Sequence, residues 1–271
     1  MDVKKMRQLT QNMEHVNKGT TDEVVMSPEE AEQLRLQAQT AFNNGEIVKC
    51  VRLLTEAANA GDVRAMCNLA YLYGTGKEIP KNPQEYFRWI KKAADKGDIG
   101  AMWRLAQAYS EGLGVEQNPN LEFAWLKKLA AVGESKAMGW IGDKYRKGEG
   151  VVQDYKEAIK WYKKSIDIGK DVKSMRSLSF MYADGEGVEK NLDTAIQWMT
   201  KAAEAGDVNS MYTLGNMYEH KFHGYDLTYG QYFDTDDDTF SHYYNMAVKW
   251  WEKAAEAGHE GAKEALYNFT H

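Results

Sequence analysis

The sequence predicts an all-α fold, an α/α solenoid made of stacked helix hairpins. Apolar residues recur at the three- and four-residue spacing of a helix face, and the whole pattern returns about every 36 residues. Proline is scarce, with four residues in 271, whereas glycine is plentiful, with 23. This composition is typical of unbroken helices joined by many short turns.

The clearest copy of the repeat spans Gly133 to Asp167. Its first predicted helix carries Ala137 and Ile141 on one apolar face, and a pair of glycines ends that helix. A second periodic run follows, and Gly169 is predicted to close it as a left-handed cap. Each repeat is therefore predicted to be one helix hairpin.

Three kinds of residue return in step along the chain. The first-helix methionines are spaced 36, 36, 37 and 36 residues apart, and the one extra residue, near Lys170, is interpreted as a lengthened turn. The recurring residues are Met66, Met102, Met138, Met175 and Met211, the glycines Gly61, Gly97, Gly133, Gly169 and Gly206, and the second-helix tryptophans Trp89, Trp125, Trp161, Trp198 and Trp250. The repeating columns, such as Ala65, Met66, Leu69, Ala70 and Tyr73, are predicted to form the core.

The repeat resembles the Sel1-like repeat, a relative of the tetratricopeptide repeat. The resemblance rests on the runs AMCNLAYLY from Ala65 and AMGWIGDKY from Ala137, on GEGV from Gly148 and Gly185, and on AIKWYKK from Ala158. It covers roughly residues 45 to 265. It implies a right-handed superhelix of helix pairs that usually binds other proteins, with the first helices lining the concave surface.

The chain is predicted to have four segments. Residues 1–26 hold an amphipathic helix and a linker, and that helix either packs on the first repeat or docks a partner. Residues 27–60 form a degenerate capping repeat, 61–258 form five repeats, and 259–271 form a capping helix. An acidic and aromatic insertion of about 16 residues, at about 219–243, interrupts the last repeat and is interpreted as a long loop on the binding face.

The charge distribution argues against nucleic acid as a ligand. The net charge is −6, and residues 219–243 contribute −5 of it, through six acidic residues against one lysine, so the rest of the chain is close to neutral. A nucleic-acid interface needs a basic stripe instead.

A cytoplasmic location is expected. The two cysteines, Cys50 and Cys67, lie inside helical patterns and do not form the disulfide pattern of the cysteine-rich members of the resembling family. No secretory signal or membrane span is expected either, because neither the N-terminus nor any other run is apolar enough. No cofactor is expected, and the oligomeric state is left open.

First-helix columns that change between repeats are free of the packing constraint, and they favour aromatic and arginine side chains typical of binding hot spots. They predict a partner-binding groove, although several of these residues could instead wedge between adjacent repeats. The groove candidates are Tyr71, Trp103, Arg104, Trp140, Asp143, Arg176, Phe180, Tyr212 and Asn216. The insertion is predicted to add Tyr229, Tyr232, Phe233, Asp236 and Asp237.

No catalytic residue and no metal site are predicted. The insertion holds weak zinc candidates, His220, His223 and Asp226, with His242 nearby, but no glutamate stands beside a histidine as in zinc hydrolases. A calcium loop from Asp234 through Asp236 and Asp238 is disfavoured, since Thr239 replaces the glycine that such a loop needs.

The first hypothesis is a non-enzymatic interaction module, such as an adaptor, regulator, effector or immunity-type protein, that binds a protein or peptide. The alternatives are a metal-assisted hydrolase centred on the insertion histidines and a binder of a small molecule or cell-wall fragment.

Overall fold

The computed structural model describes residues 26–223, 225–226, 231–232 and 237–270. The side chains of residues 225–226, 231–232, 237 and 240 lie outside this description, as does the helix predicted near the N-terminus. The described elements are α1 Pro28–Asn43, α2 Ile47–Asn59, α3 Val63–Thr75, α4 Pro83–Asp95, α5 Ile99–Glu111, α6 Pro119–Ala131, α7 Ser135–Lys147, α8 Tyr155–Gly169, α9 Val172–Asp184, α10 Leu192–Glu204, α11 Val208–Phe222, β1 Tyr225–Asp226, β2 Gln231–Tyr232, α12 Asp237–Glu256 and α13 Glu260–Thr270.

The all-α fold of paired helix hairpins is confirmed. The chain divides into two compact units, Met1–Leu129 and Ala130–His271. In the first unit α1 packs on α2 and α3 on α4, and in the second unit α7 packs on α8, α9 on α10 and α11 on α12. No helix in the described part of the chain combines the length and the apolar character that crossing a membrane requires.

Capping residues set where the helices begin. Ser27 forms the predicted capping box: its Oγ accepts the Glu30 N–H at 3.2 Å, and its own N–H donates to Glu30 Oε2 at 2.8 Å. Most first helices of the repeats begin after an aspartate whose carboxylate accepts the N–H three residues later, as Asp62 does from Ala65 at 2.7 Å. The same cap recurs at Asp98, Asp171 and Asp207.

The predicted core columns are buried. In α3, Ala65, Met66, Leu69, Ala70 and Tyr73 each expose 3% or less of their surface. The second-helix tryptophans also pack, and in each case a lysine three residues later lies over the indole ring. These pairs are Lys92 on Trp89, Lys128 on Trp125, Lys164 on Trp161, Lys201 on Trp198 and Lys253 on Trp250, with the ammonium 3.6 to 5.1 Å from the ring centroid.

The prediction that Gly169 is a left-handed cap is wrong. Gly169 is the last residue of α8, and Lys170 takes the left-handed conformation with φ of 50°. The one-residue lengthening of this repeat moves the cap by one position. Gly169 is small for another reason: a Cβ there would lie 2.0 Å from Ser135 Oγ. The glycine therefore permits a close approach of α8 to the start of α7.

Part of the insertion is helical, which corrects its interpretation as a loop throughout. α11 continues to Phe222, and α12 begins at Asp237 and runs for 20 residues. Between them β1 and β2 pair antiparallel, with Tyr225 opposite Tyr232. The helical ends bring aromatic side chains of the insertion into packing contacts, because the Phe222 ring lies 5.1 Å from that of Phe269 in α13.

Candidate partner-binding surfaces

The first unit places three of the groove candidates on its first helices. Tyr71 in α3 exposes 55% of its surface. In α5, Trp103 is half-buried and Arg104 is exposed. Leu105, next to them in sequence, is fully buried. The variable columns of these two helices therefore lie beside the core columns and reach the surface.

The second unit carries the other six groove candidates, and we call this set its first-helix face: Trp140, Asp143, Arg176, Phe180, Tyr212 and Asn216. Trp140 in α7 and Phe180 in α9 expose 39% and 37% of their surface. Lys173 lies beside Trp140 and Asp143, with its ammonium 5.8 Å from the Trp140 ring centroid and 3.5 Å from Asp143 Oδ2. The exposed part of this face thus combines two aromatic rings with a basic side chain.

Two members of the first-helix face are held by polar contacts within the fold. Asp143 Oδ1 accepts a hydrogen bond from the Tyr162 hydroxyl at 2.6 Å. Arg176 donates to Asp207 at 3.4 Å, and Asp207 also caps α11. Both contacts join a first helix to a neighbouring element, so these two residues contribute to packing between helices.

The remaining two members also have partners inside the unit. Tyr212 stacks on His259, with ring centroids 4.3 Å apart and an interplanar angle of 20°. Asn216 Oδ1 accepts the indole N–H of Trp251 at 2.8 Å. These contacts agree with the alternative that several candidates wedge between adjacent elements. Trp140 and Phe180 are the aromatic members with the largest exposed fraction.

Replacing Tyr162 by phenylalanine is expected to reduce the free energy of unfolding by about 1–2 kcal/mol at pH 7.5, since a hydrogen bond to a partly exposed carboxylate is lost. Burial, and then the charge and hydrogen bond of Asp143, raise the pKa of Tyr162 far above its usual value. Tyr162 therefore contributes its full stability below about pH 10 and loses it as the pH rises further. In urea unfolding, the difference in free energy of unfolding between the wild type and Tyr162→Phe should be smaller at pH 10.5 than at pH 7.5.

Tyr71→Phe is the control for this prediction, because Tyr71 exposes 55% of its surface. Equal stability of Tyr162→Phe and wild type at pH 7.5 would contradict the role given to the hydroxyl.

The structure describes little of the insertion candidates. Tyr229, Phe233 and Asp236 lie outside the described residues. Tyr232 belongs to β2 and Asp237 is the first residue of α12, but their side chains are outside the description. These five positions stay predictions.

A pocket of about 450 Å³ lies where α10, α11 and the start of α12 meet. We call it the insertion pocket, because α12 contributes to it from within the predicted insertion. Its lining residues are Asp193, Ile196, Tyr218, Lys221, Asp238, Thr239, His242 and Tyr243. The sequence brings Asp238, Thr239 and His242 into question for metal binding, but it does not predict that these lining residues form a pocket.

Lys221 is central to the electrostatics of this pocket. Its ammonium donates a hydrogen bond to Asp193 Oδ1 and lies 5.1 Å from the ring centroid of Tyr243. Burial acts to lower the pKa of Lys221, but the hydrogen bond and charge of Asp193 outweigh it, so the pKa is raised. Lys221 therefore stays protonated at neutral pH.

Aromatic rings form the walls around this ion pair. The Tyr218 ring centroid lies 6.4 Å from that of His242, edge to face, and 6.4 Å from that of Tyr243. Burial raises the pKa of Tyr218, so the phenol is neutral across the physiological range. The pocket thus joins neutral aromatic surface to ionised groups.

The histidines of the insertion have different neighbours in the structure. His220 is exposed, and His223 lies edge-on to Phe222 and Phe269, at 5.2 and 6.1 Å. His242 instead packs with Tyr218 and Tyr243 in the insertion pocket. Among the residues that the structure describes, no group of three or more potential ligands is placed to hold a metal ion.

One signal in the sequence pointed to the insertion pocket. Lys221 is the single lysine or arginine in the segment 219–243, which holds six acidic residues. An isolated basic residue in such a segment indicates an ion pair. Asp193 could not be found in this way, because it lies 28 residues earlier in an ordinary second helix.

Six stretches of the chain match the sequence model of the Sel1 repeat: residues 46–62, 63–98, 99–134, 135–170, 172–207 and 244–259. Together they span more than half of the chain. The chain belongs to the Sel1 repeat family. Residues 208–243, between the last two matches, contain α11 and the insertion. The departure from the repeat pattern that is predicted after Tyr218 falls within this unmatched stretch.

Solved structures of Sel1 repeat proteins resemble this one. A Sel1 repeat protein from Oxalobacter formigenes is 27% identical with a TM-score of 0.58, over 84% of this chain and 86% of that one. A protective antigen of uropathogenic Escherichia coli strains that displays the same repeat fold is 25% identical with a TM-score of 0.61. It matches over 96% of this chain, which spans 58% of the antigen's own chain. No curated protein matches the chain.

Proposed function

We propose that this Sel1 repeat protein is a non-enzymatic interaction module that holds a protein or peptide partner against the first-helix face of its second unit. Sel1 repeats commonly serve as protein-interaction modules, and they are generally scaffolds rather than enzymes. The observation that carries the proposal is the exposure of Trp140 and Phe180, at 39% and 37%, on successive first helices.

The neighbouring core columns show why this exposure is informative. Met138 and Ile141 on either side of Trp140 expose 1% or less of their surface, as does Leu178 near Phe180. The core columns around the two rings are thus closed to solvent, whereas the rings themselves reach the surface. Aromatic side chains on a rigid helical surface supply large contact area at low entropic cost, and such residues dominate binding energy at protein interfaces.

Charged groups beside the rings add polar contacts. Lys173 exposes 61% of its side chain and Arg176 exposes 35%. Their acidic partners, Asp143 and Asp207, expose 26% and 23%. The basic groups are thus more accessible than the acidic groups they pair with, which favours a partner segment that offers apolar side chains together with acidic or carbonyl oxygen atoms.

The double variant Trp140→Ala/Phe180→Ala tests the proposal. In affinity capture from native lysate, read by quantitative mass spectrometry, we expect partners of the wild type to fall at least tenfold, because loss of a hot-spot residue costs roughly 2 kcal/mol or more. The partner so identified is then purified, and its dissociation constant is measured for each variant.

Val152→Ala/Ile168→Ala is the matched control. It also removes exposed apolar groups from the second unit, since Val152 and Ile168 expose 85% and 53% of their surface, but neither lies on a first helix. We expect this control to bind like the wild type. Binding that survives the Trp140 and Phe180 replacements, or that is lost equally in the control, would overturn the assignment of this face.

The class of interaction protein is proposed only at the level of an adaptor, regulator, effector or immunity-type protein. Identification of the captured partner would decide among these classes.

A further inference from the structure

We infer that the insertion pocket receives a basic side chain, an arginine or a lysine, of a polypeptide partner. The inference rests on the proposed function for the polypeptide nature of the ligand. The recognition chemistry itself is independent of the first-helix face, because it depends on the residues that line the pocket.

Lys221 shows that the pocket can stabilise a positive charge. Its ammonium pairs with Asp193 and lies over the ring of Tyr243. Only 19% of the Lys221 side chain is exposed, so this cation is held in place, whereas the Asp193 side chain is 76% exposed. The exposed carboxylate retains acceptor capacity for a second donor, since a carboxylate has two oxygens and about four lone-pair sites.

The charged side chains that line the pocket give it a negative net charge. Asp193 and Asp238 are opposed by Lys221 alone among the aspartate and lysine residues that line the pocket, which gives −1. Asp238 is exposed at the start of α12. This field favours the approach of a cation and disfavours that of an anion.

The uncharged lining fits the rest of a long basic side chain. The rings of Tyr218, Tyr243 and His242 offer faces for a guanidinium or ammonium group, which aromatic rings attract through their quadrupole. Ile196, which is 7% exposed, offers apolar surface for a methylene stem. A volume of about 450 Å³ lies within the usual range for sites that bind small ligands.

The test uses a defined probe, Nα-acetyl-arginine N-methylamide, titrated into the full chain and followed by two-dimensional amide NMR. We expect saturable shifts confined to residues around Lys221 and His242. The citrulline analogue has nearly the same shape without the charge, and it should bind at least fivefold more weakly. Equal binding of the two probes, or shifts that do not saturate, would overturn the inference.

Two protein variants with opposite expected effects sharpen the test. Asp193→Asn/Asp238→Asn should weaken arginine-probe binding at least fivefold. Lys221→Gln should strengthen it at least twofold, because the competing internal cation is removed from Asp193. A merely structural role of these residues would not produce opposite changes. If both variants bind the probe like the wild type, the pocket is not the recognition site.

Asp167→Asn/Glu189→Gln is the matched control, since it removes two negative charges from exposed positions of the same unit outside the pocket. Probe binding should be unchanged in this control. It should also be unchanged in Trp140→Ala/Phe180→Ala, so failure of the first-helix face and failure of the insertion pocket are distinguishable. Loss of binding in the charge control would indicate only a general electrostatic effect and would overturn the site.

Discussion

Gly114→Ala is expected to destabilise the first unit by about 3 kcal/mol or more. Gly114 lies in the turn between α5 and α6, with φ of +73°, where an L-residue with a Cβ costs roughly 1–2 kcal/mol. A Cβ at this position would also lie 1.8 Å from the carbonyl oxygen of Pro83. That oxygen belongs to the backbone at the start of α4, so the clash can be relieved only by moving the turn away from the preceding repeat.

Gly45→Ala is a closely matched control for this prediction. Gly45 has φ of +75°, yet a Cβ there would meet no atom within 4 Å. The control therefore carries the conformational strain without the clash, and we expect a loss of roughly 1–2 kcal/mol. Urea unfolding followed by far-UV circular dichroism gives both values. An equal loss of free energy of unfolding in the two variants would show that the clash with Pro83 does not add to the destabilisation.

The same close approach recurs in the second unit. Gly187 has φ of +73°, and a Cβ there would lie 2.3 Å from the Cβ of Tyr155, the first residue of α8. In both units, then, the second glycine of the turn allows one repeat to pack against the start of the second helix of the repeat before it. These glycines are required by packing between repeats as well as by their turn conformation.

Trp251→Ala is expected to lower the free energy of unfolding by about 3–5 kcal/mol, the usual cost of deleting a large buried aromatic side chain. Trp251 exposes 1% of its surface. Its indole N–H donates to Asn216 Oδ1 at 2.8 Å, and its ring lies 5.1 Å from that of Phe269. A Cβ on Gly215 would come within 2.4 Å of the indole, which shows how closely Trp251 packs on the α11 backbone.

The loss should be concentrated in the last elements of the chain, because each repeat of a solenoid contacts mainly its neighbours. Hydrogen exchange of Trp251→Ala should therefore show weakened protection in α11, α12 and α13 and largely retained protection in α7. Val152→Ala is the control: Val152 exposes 85% of its surface, and we expect its free energy of unfolding to stay within about 0.5 kcal/mol of the wild type. A loss from Trp251→Ala as small as that of the control would contradict the packing role.

Helix hairpins and core columns could be predicted from the sequence because they depend on local spacing. The burial of Leu69 and Met66 follows from the helix period, and the capping box at Ser27 follows from a three-residue interval. Repetition strengthened each of these predictions, since the same residue types returned in every repeat. The groove candidates follow from the opposite criterion, because they lie in the columns that do not repeat.

The roles of these candidates depended on contacts between distant residues. Asn216 accepts the indole N–H of Trp251, 35 residues later, and Asp143 accepts the hydroxyl of Tyr162, 19 residues later. A variable column indicates that the core does not fix the residue type, but it cannot indicate whether a partner from another helix holds that residue. Only the packed structure distinguished Asn216 from the exposed ring of Phe180.

By itself, the sequence determined the repeat period, the helical class and the residues that fill the core, because every third or fourth residue of a helix lies on its buried face. Only the tertiary structure decided which surface residues meet. Packing of α10, α11 and α12 brings Asp193, Lys221 and Tyr243 together, and no local pattern encodes that meeting. The physical reason is that helix formation is governed by near neighbours, whereas a pocket is formed by side chains from separate helices.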